Sequence, residues 1–233
     1  MKKTLGIIGG VGPLATMFLG EMIVRRTAAD RDQDHVPMLI SNNPRIPDRT
    51  AFILGESSES PVPVMIADGR KLVEMGAEVL AMPCNTAHSF YQELQEALPV
   101  PLIHMIDETA AEAKRQRAVR TGILATDGTL KTRVYQQACE KAGLEPVIPS
   151  DEVQRLVMSV IYDCVKAGEP VSASDWEKID AQMKELGCDK VLLGCTELSV
   201  VRKELGLSDF YVDSSAVLAE SAVKASGYEL KKA

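Results

Sequence analysis

Apolar positions along this chain come in two alternating kinds of run. Short, nearly unbroken runs of branched aliphatics alternate with longer stretches in which apolar residues return every three or four positions. The first kind reads as strands buried on both faces and the second as amphipathic helices. On this reading strands cover 4–9 (TLGIIG), 36–42 (VPMLISN), 77–82 (AEVLAM) and 101–105 (PLIHM), with helices over 13–28, 61–75 and 86–97. The pattern then restarts. Strands follow over 120–126 (RTGILAT), 145–148 and 189–194 (DKVLLG), helices over 129–142, 151–167 and 174–187, and a closing helix over 214–226. Strand and helix in strict alternation predict βαβ units and parallel sheets.

The restart predicts two halves. GIIGGVGP (6–13) is echoed by GILATDGT (122–129), and Cys84 and Cys195 are separated by nearly the same length of chain. The expected fold is therefore α/β, with two pseudo-symmetric domains, each a parallel four-stranded sheet flanked by helices. Residues 1–106 plus 212–233 form the N-terminal half with its closing helix and carry Cys84; residues 107–211 form the second half and carry Cys195. No Ser/Gly-rich linker marks the boundary near 106–118. Ligands of open parallel sheets bind beyond the carboxyl ends of the strands, where both cysteines fall, so the expected active site is an interdomain cleft with one thiol on each wall.

Composition removes several classes of function. With 233 residues, 45% of them hydrophobic and 25% charged, the chain is long enough for a substantial core. A net charge of −7 disfavours nucleic-acid binding, which needs a positive surface to displace counterions. The opening MKKTLGIIGG has an apolar run broken by glycines within a few residues, which fits neither a signal peptide nor a membrane span, so a cytoplasmic location is expected. Five cysteines without CxxC or Cys/His spacing predict free thiols rather than disulfides or a metal site.

Two stretches carry candidate chemistry. GGVGPLA matches a dinucleotide-binding fingerprint after the first strand, but Asn42 and Asn43 stand where that fingerprint needs an acid for the ribose. A glycine turn beside a small anion is the better reading. Cys139, Cys164 and Cys188 fall inside helices or just before a strand and read as packing residues. Cys84 and Cys195 each close an apolar strand and precede small polar residues, Asn85-Thr86 and Thr196-Glu197, at an expected helix start. There the free amides and helix dipole lower a thiol's pKa. His88, four residues after Cys84, reads as structural. Two matched thiols suit inversion at an acidic carbon: one removes a proton from one face while the other delivers a proton to the opposite face.

GIIGGVGPLAT, NNPRIPDRTAFILG, MPCNTAH, VKAG and GCTELSVV together resemble the aspartate racemase branch of the aspartate/glutamate racemase family, over nearly the whole chain. The resemblance implies an isomerase that interconverts L- and D-aspartate without a cofactor or a metal, with Cys84 and Cys195 as its two bases. It also implies a homodimer whose only other partner is a small dicarboxylic amino acid, and no partner in nucleic acid or membrane. Arg49, in IPDRT, and Lys166, in VKAG, take the place of the cations that grip the side-chain carboxylate. By their sequence settings alone, a surface arginine in a turn and a solvated lysine ending a helix are the plainer readings. Asn85, Thr86, Thr126 and Thr196, at strand ends, are candidates for the α-carboxylate cradle. Val11 replaces a methionine common in the family and is expected to line the pocket. Glutamate racemases usually read GCTHYP after the second cysteine; GCTEL here favours aspartate. The alternatives are a racemase of glutamate or of amino acids more broadly, a one-thiol relative of the maleate isomerase, arylmalonate decarboxylase or hydantoin racemase type, and a non-catalytic amino-acid sensor.

Overall fold

The computed structural model describes residues 1–232. Contacts divide the chain into two units, residues 1–105 joined by the stretch from Ser215 onward, and Ile106–Ser214.

The first unit is built on a three-stranded parallel sheet. Its elements are β1 (Leu5–Gly9), α1 (Pro13–Arg26), β2 (Met38–Asn42), α2 (Arg49–Leu54), α3 (Val62–Glu74), β3 (Val79–Ala81) and α4 (Tyr91–Ala97). The strand order is β2-β1-β3. Central β1 is buried at every residue, because helices cover both faces of a parallel sheet and no position is left to alternate with solvent. One buried cluster gathers Ile8, Val11, Met65, Leu80, Met82 and Cys84. Another joins Leu5, Ile7, Leu19 and Ile23 to Leu218, Ala219, Ala222 and Val223.

A four-stranded sheet was expected here, and the strand placed at 101–105 is the correction. The segment makes a single-residue bridge, Leu80 to Leu102, parallel to β3. Leu80 N–H donates to Pro101 O and Ile103 N–H to Leu80 O, each at 2.8 Å. Pro101 has no N–H to extend the ladder, and α5 (Met105–Arg115) starts three residues after the bridge. Both α5 and the short α2 lie where the apolar pattern gave no helix.

The second unit carries β4 (Arg120–Ala125), α6 (Asp127–Lys131), α7 (Val134–Lys141), β5 (Glu145–Val147), α8 (Asp151–Ser159), α9 (Ala173–Glu185), β6 (Lys190–Gly194), α10 (Thr196–Leu205) and β7 (Tyr211–Asp213). Its four strands are parallel in the order β5-β4-β6-β7. The helix expected over 129–142 is two helices. The one expected over 151–167 changes winding at Val160–Val165, a π-helical segment. The closing helix α11 spans Ser214–Ala225. Among the described residues no helix is long and apolar enough to cross a membrane.

Candidate active site

In the first unit, β3 ends at Ala81, and Cys84 N–H donates to Met82 O at 2.9 Å across Pro83, a one-residue turn that reverses the chain. The thiol is 7% exposed. The helix expected over 86–97 begins instead as a 3-10 turn, Thr86–Phe90, with Asn85 in its cap position. His88 secures this turn. Met105 N–H donates to His88 Nε2 at 3.2 Å, so the ring proton lies on Nδ1, which donates to Cys84 O at 2.8 Å. With both ring nitrogens engaged by backbone, His88 fixes the Cys84 turn, as the structural reading expects.

Arg49 opens α2 and is only 9% exposed, so the surface-arginine reading is overturned. Its Nη1 donates to Ile46 O at 3.2 Å and Pro47 O at 3.0 Å. Asp48 caps the helix by accepting from Ala51 N–H at 2.8 Å. α2 packs against the Thr86–Phe90 turn, which starts two residues after Cys84, with the Phe52 and Phe90 rings 5.9 Å apart. Asn85 and Thr86 are buried in that turn, and Val11 shares the apolar cluster that holds Cys84.

The glycine turn behaves differently from expectation. Gly10 has φ +87°, and a Cβ there would overlap the backbone of Asn43. Gly10 N–H donates to Thr16 Oγ1 at 2.9 Å. The close approach that needs glycine is that of the chain's own Asn43 loop, and the amide is spent on Thr16 rather than on an anion.

In the second unit, Ala125 of β4 pairs with Gly194 of β6, which sets Thr126 and Cys195 at adjoining strand ends. Gly194 is required there because a Cβ would lie 2.8 Å from Cε2 of the buried Tyr135 ring. Thr126 caps α6, its Oγ1 accepting from Thr129 N–H at 3.3 Å. Cys195 caps α10 in extended conformation and is 6% exposed. Its S–H donates to Glu197 Oε2 at 2.9 Å, and Thr196 Oγ1–H donates to the same oxygen at 3.2 Å.

This arrangement reverses the expected effect on the Cys195 thiol. Burial pushes it well above its ordinary value; the Glu197 carboxylate raises it further through its charge and by accepting the S–H, while Lys166 pulls the other way. A helix start was expected to lower it, but desolvation and a neighbouring anion outweigh the amides. Glu197 is the site residue the sequence reading missed. The signal was a carboxylate two positions after the cysteine, in the first turn of the helix.

Lys166 ends the π segment, and its N–H donates five residues back to Ile161 O at 3.1 Å. α10 packs on that segment. The ammonium stands 4.1 Å from the centroid of the Tyr162 ring, a cation–π contact. Lys166 thus acts on the Cys195 thiol, while Arg49 opens a helix packed on the turn that follows Cys84. All five cysteines are unbridged, with Cys139 and Cys188 buried and Cys164 half-buried. The described residues hold no cluster of three metal-ligating side chains.

The Asp/Glu/hydantoin racemase family matches this chain over residues 8–222. The chain belongs to that family. A broad-specificity amino-acid racemase of Bacillus subtilis is 30% identical over 227 residues, which are 94% of this chain and 96% of the relative. Among solved structures, an aspartate racemase of Picrophilus torridus is similar with a TM-score of 0.83 and 32% identity, covering 99% of this chain and 96% of that one. An aspartate racemase homologue from Pyrococcus horikoshii gives 0.77 at 26% identity, covering 96% and 99%. The racemase family makes the protein an isomerase, and the two-sheet α/β architecture agrees with these neighbours.

Proposed function

We propose that this racemase interconverts L- and D-aspartate without a cofactor, using Cys84 and Cys195 as its two proton-transfer groups. The observation that carries the reading is the pair of buried, unbridged thiols, each closing a parallel strand of its own unit. The similarity to the Picrophilus aspartate racemase supports the substrate. Arg49 and Lys166 hold the side-chain carboxylate, the arginine through a planar fork and the lysine as a point charge. Asn85, Thr86, Thr126 and Thr196 receive the α-carboxylate, and Val11 lines the pocket. Backbone amides at the strand ends stabilise the charge that develops as the α-proton leaves. One sulfur takes that proton as the other supplies a proton to the opposite face.

The test is proton NMR of L-aspartate with reduced protein in heavy water, without pyridoxal phosphate, beside chiral separation of the product. The α-proton signal is expected to decay as D-aspartate appears. Cys84→Ala and Cys195→Ala are each expected to lower the rate by about 10²- to 10⁴-fold. Full activity in either variant, or no exchange at all, overturns the two-thiol reading. The Bacillus relative favours a second reading, a racemase of several amino acids. A panel of L-amino acids in the same assay separates the two: exchange confined to aspartate supports the first, and comparable exchange across the panel the second.

A further inference from the structure

We propose that Glu197 is a positioning residue that keeps Cys195 protonated, so that Cys195 stands at rest as the proton donor of the pair. The proposal rests on the two-thiol reading above for its role in turnover. The contact itself belongs to the geometry of one helix start.

Three observations converge on it. Glu197 is 8% exposed, although a glutamate in the first turn of a helix ordinarily extends into solvent. Its Oε2 instead turns back over the cap to lie 2.9 Å from Sγ. The same oxygen accepts Thr196 Oγ1–H at 3.2 Å, so the carboxylate is held from two sides and its position is defined. The start of α10 also favours a negative charge at that point through the helix dipole. The groups facing Cys195 are Thr196 and Glu197 from its own helix, Lys166 from the end of the π segment and Tyr135 from α7. Tyr135 is buried, which pushes its hydroxyl up and keeps it neutral. Lys166 is the counterweight, and it acts from an exposed position while Glu197 is in direct contact.

The consequence for turnover follows from proton balance. The S–H bond of Cys195 breaks as a new Cα–H bond forms on the substrate, and the opposite Cα–H bond breaks as its proton passes to the Cys84 thiolate. Cys195 is then a thiolate pressed against a carboxylate in a dry site, and two like charges so close strongly favour recovery of a proton. Glu197 therefore favours the state with the thiol on Cys195, which takes up a proton from water as Cys84 releases to water the one it gained from the substrate. Without it, that preference weakens.

The experiment follows iodoacetamide modification of Cys195 by peptide mass spectrometry over a pH series, in the full chain and in Glu197→Gln and Glu197→Asp, with melting temperatures recorded. Glu197→Gln is expected to lower the midpoint of Cys195 modification by roughly one to two pH units. Glu197→Asp, which keeps the charge but draws it back, is expected to fall between the two. The alkaline limb of the aspartate racemisation profile is expected to move down in the same order, an effect that loss of packing alone does not produce. An unshifted midpoint in either variant overturns the proposal, as does faster modification at every pH with a lowered melting temperature and no shift. Modification needs no substrate, so the two readings separate. A shifted midpoint in a protein that exchanges no amino-acid α-proton overturns the racemase reading, while active variants with unshifted midpoints overturn this one.

Discussion

Cys195 and Cys84 both close a strand, but only Cys195 receives a carboxylate from the helix that follows it. The position of each thiol was legible in the sequence, since an unbroken apolar run ending in cysteine can be read without coordinates. The turning back of Glu197 was not, because burial of a first-turn glutamate depends on side-chain rotamer and on Thr196 beside it. Arg49 was missed as a buried residue for a similar reason: its partners are carbonyls of its own loop, and loop backbone leaves no periodic trace. The thiols outside the site have a consequence for stability. Burial, with a smaller contribution from Glu140, pushes the Cys139 thiol from 9.0 up to about 12. The folded protein therefore holds that proton more tightly than the unfolded chain does. The stability this represents is complete below about pH 9 and is lost progressively as pH rises toward about 12. The urea midpoint is expected to fall steadily above pH 9, and Cys139→Ala, compared with its own value at lower pH, to fall less steeply. Equal slopes in the two proteins would show that Cys139 does not contribute.

At the scale of elements, the strands of the sheet centres were the most readable parts, and the departures occur where winding or pairing changes without a change in apolar period. Pro101 reduces an expected strand to one bridge. A helix expected to be continuous over 151–167 becomes π-helical from Val160, and the pattern gives no warning because one extra residue per turn leaves the apolar face nearly intact. Such bulges recur at functional sites, where they re-aim a side chain. Here the wider turn is closed by Lys166 N–H on Ile161 O, and Lys166 follows it directly. Deleting the exposed Asp163 removes the one residue that the wide turn absorbs and is expected to restore α-helical winding with Lys166 left nearly in register. kcat/KM for aspartate is then expected to fall by less than about tenfold, with the far-UV circular dichroism nearly unchanged. A loss on the order of 10²-fold or more in a folded deletion variant would mean that the wide turn itself sets the position of Lys166.

At the scale of the whole molecule, the restart of the pattern made two halves legible. Less legible was how the last helix is shared out, since an amphipathic segment names no partner. α11 supplies Leu218, Ala219, Ala222 and Val223 to the cluster under β1 and α1. Lys3 N–H also donates to Ser226 O at 2.9 Å, and Thr27 bridges Leu230. Leu218→Ala is expected to destabilise the protein by roughly 2 to 5 kcal/mol, measured by urea unfolding. The loss is expected to be felt first in the unit that carries Cys84, and hydrogen exchange resolved by segment would locate it.

That shared helix also has a consequence for the order of events on the ribosome. Synthesis runs from residue 1 upward, so β1, β2 and β3 emerge long before Leu218 and its neighbours exist. Ile106–Ser214 is contiguous and has all its parts in hand as soon as it has emerged. The usual order, in which the earlier-made domain folds first, is therefore inverted. The half translated second can complete its core while the half translated first still waits, its apolar sheet face uncovered, for the final helix to arrive.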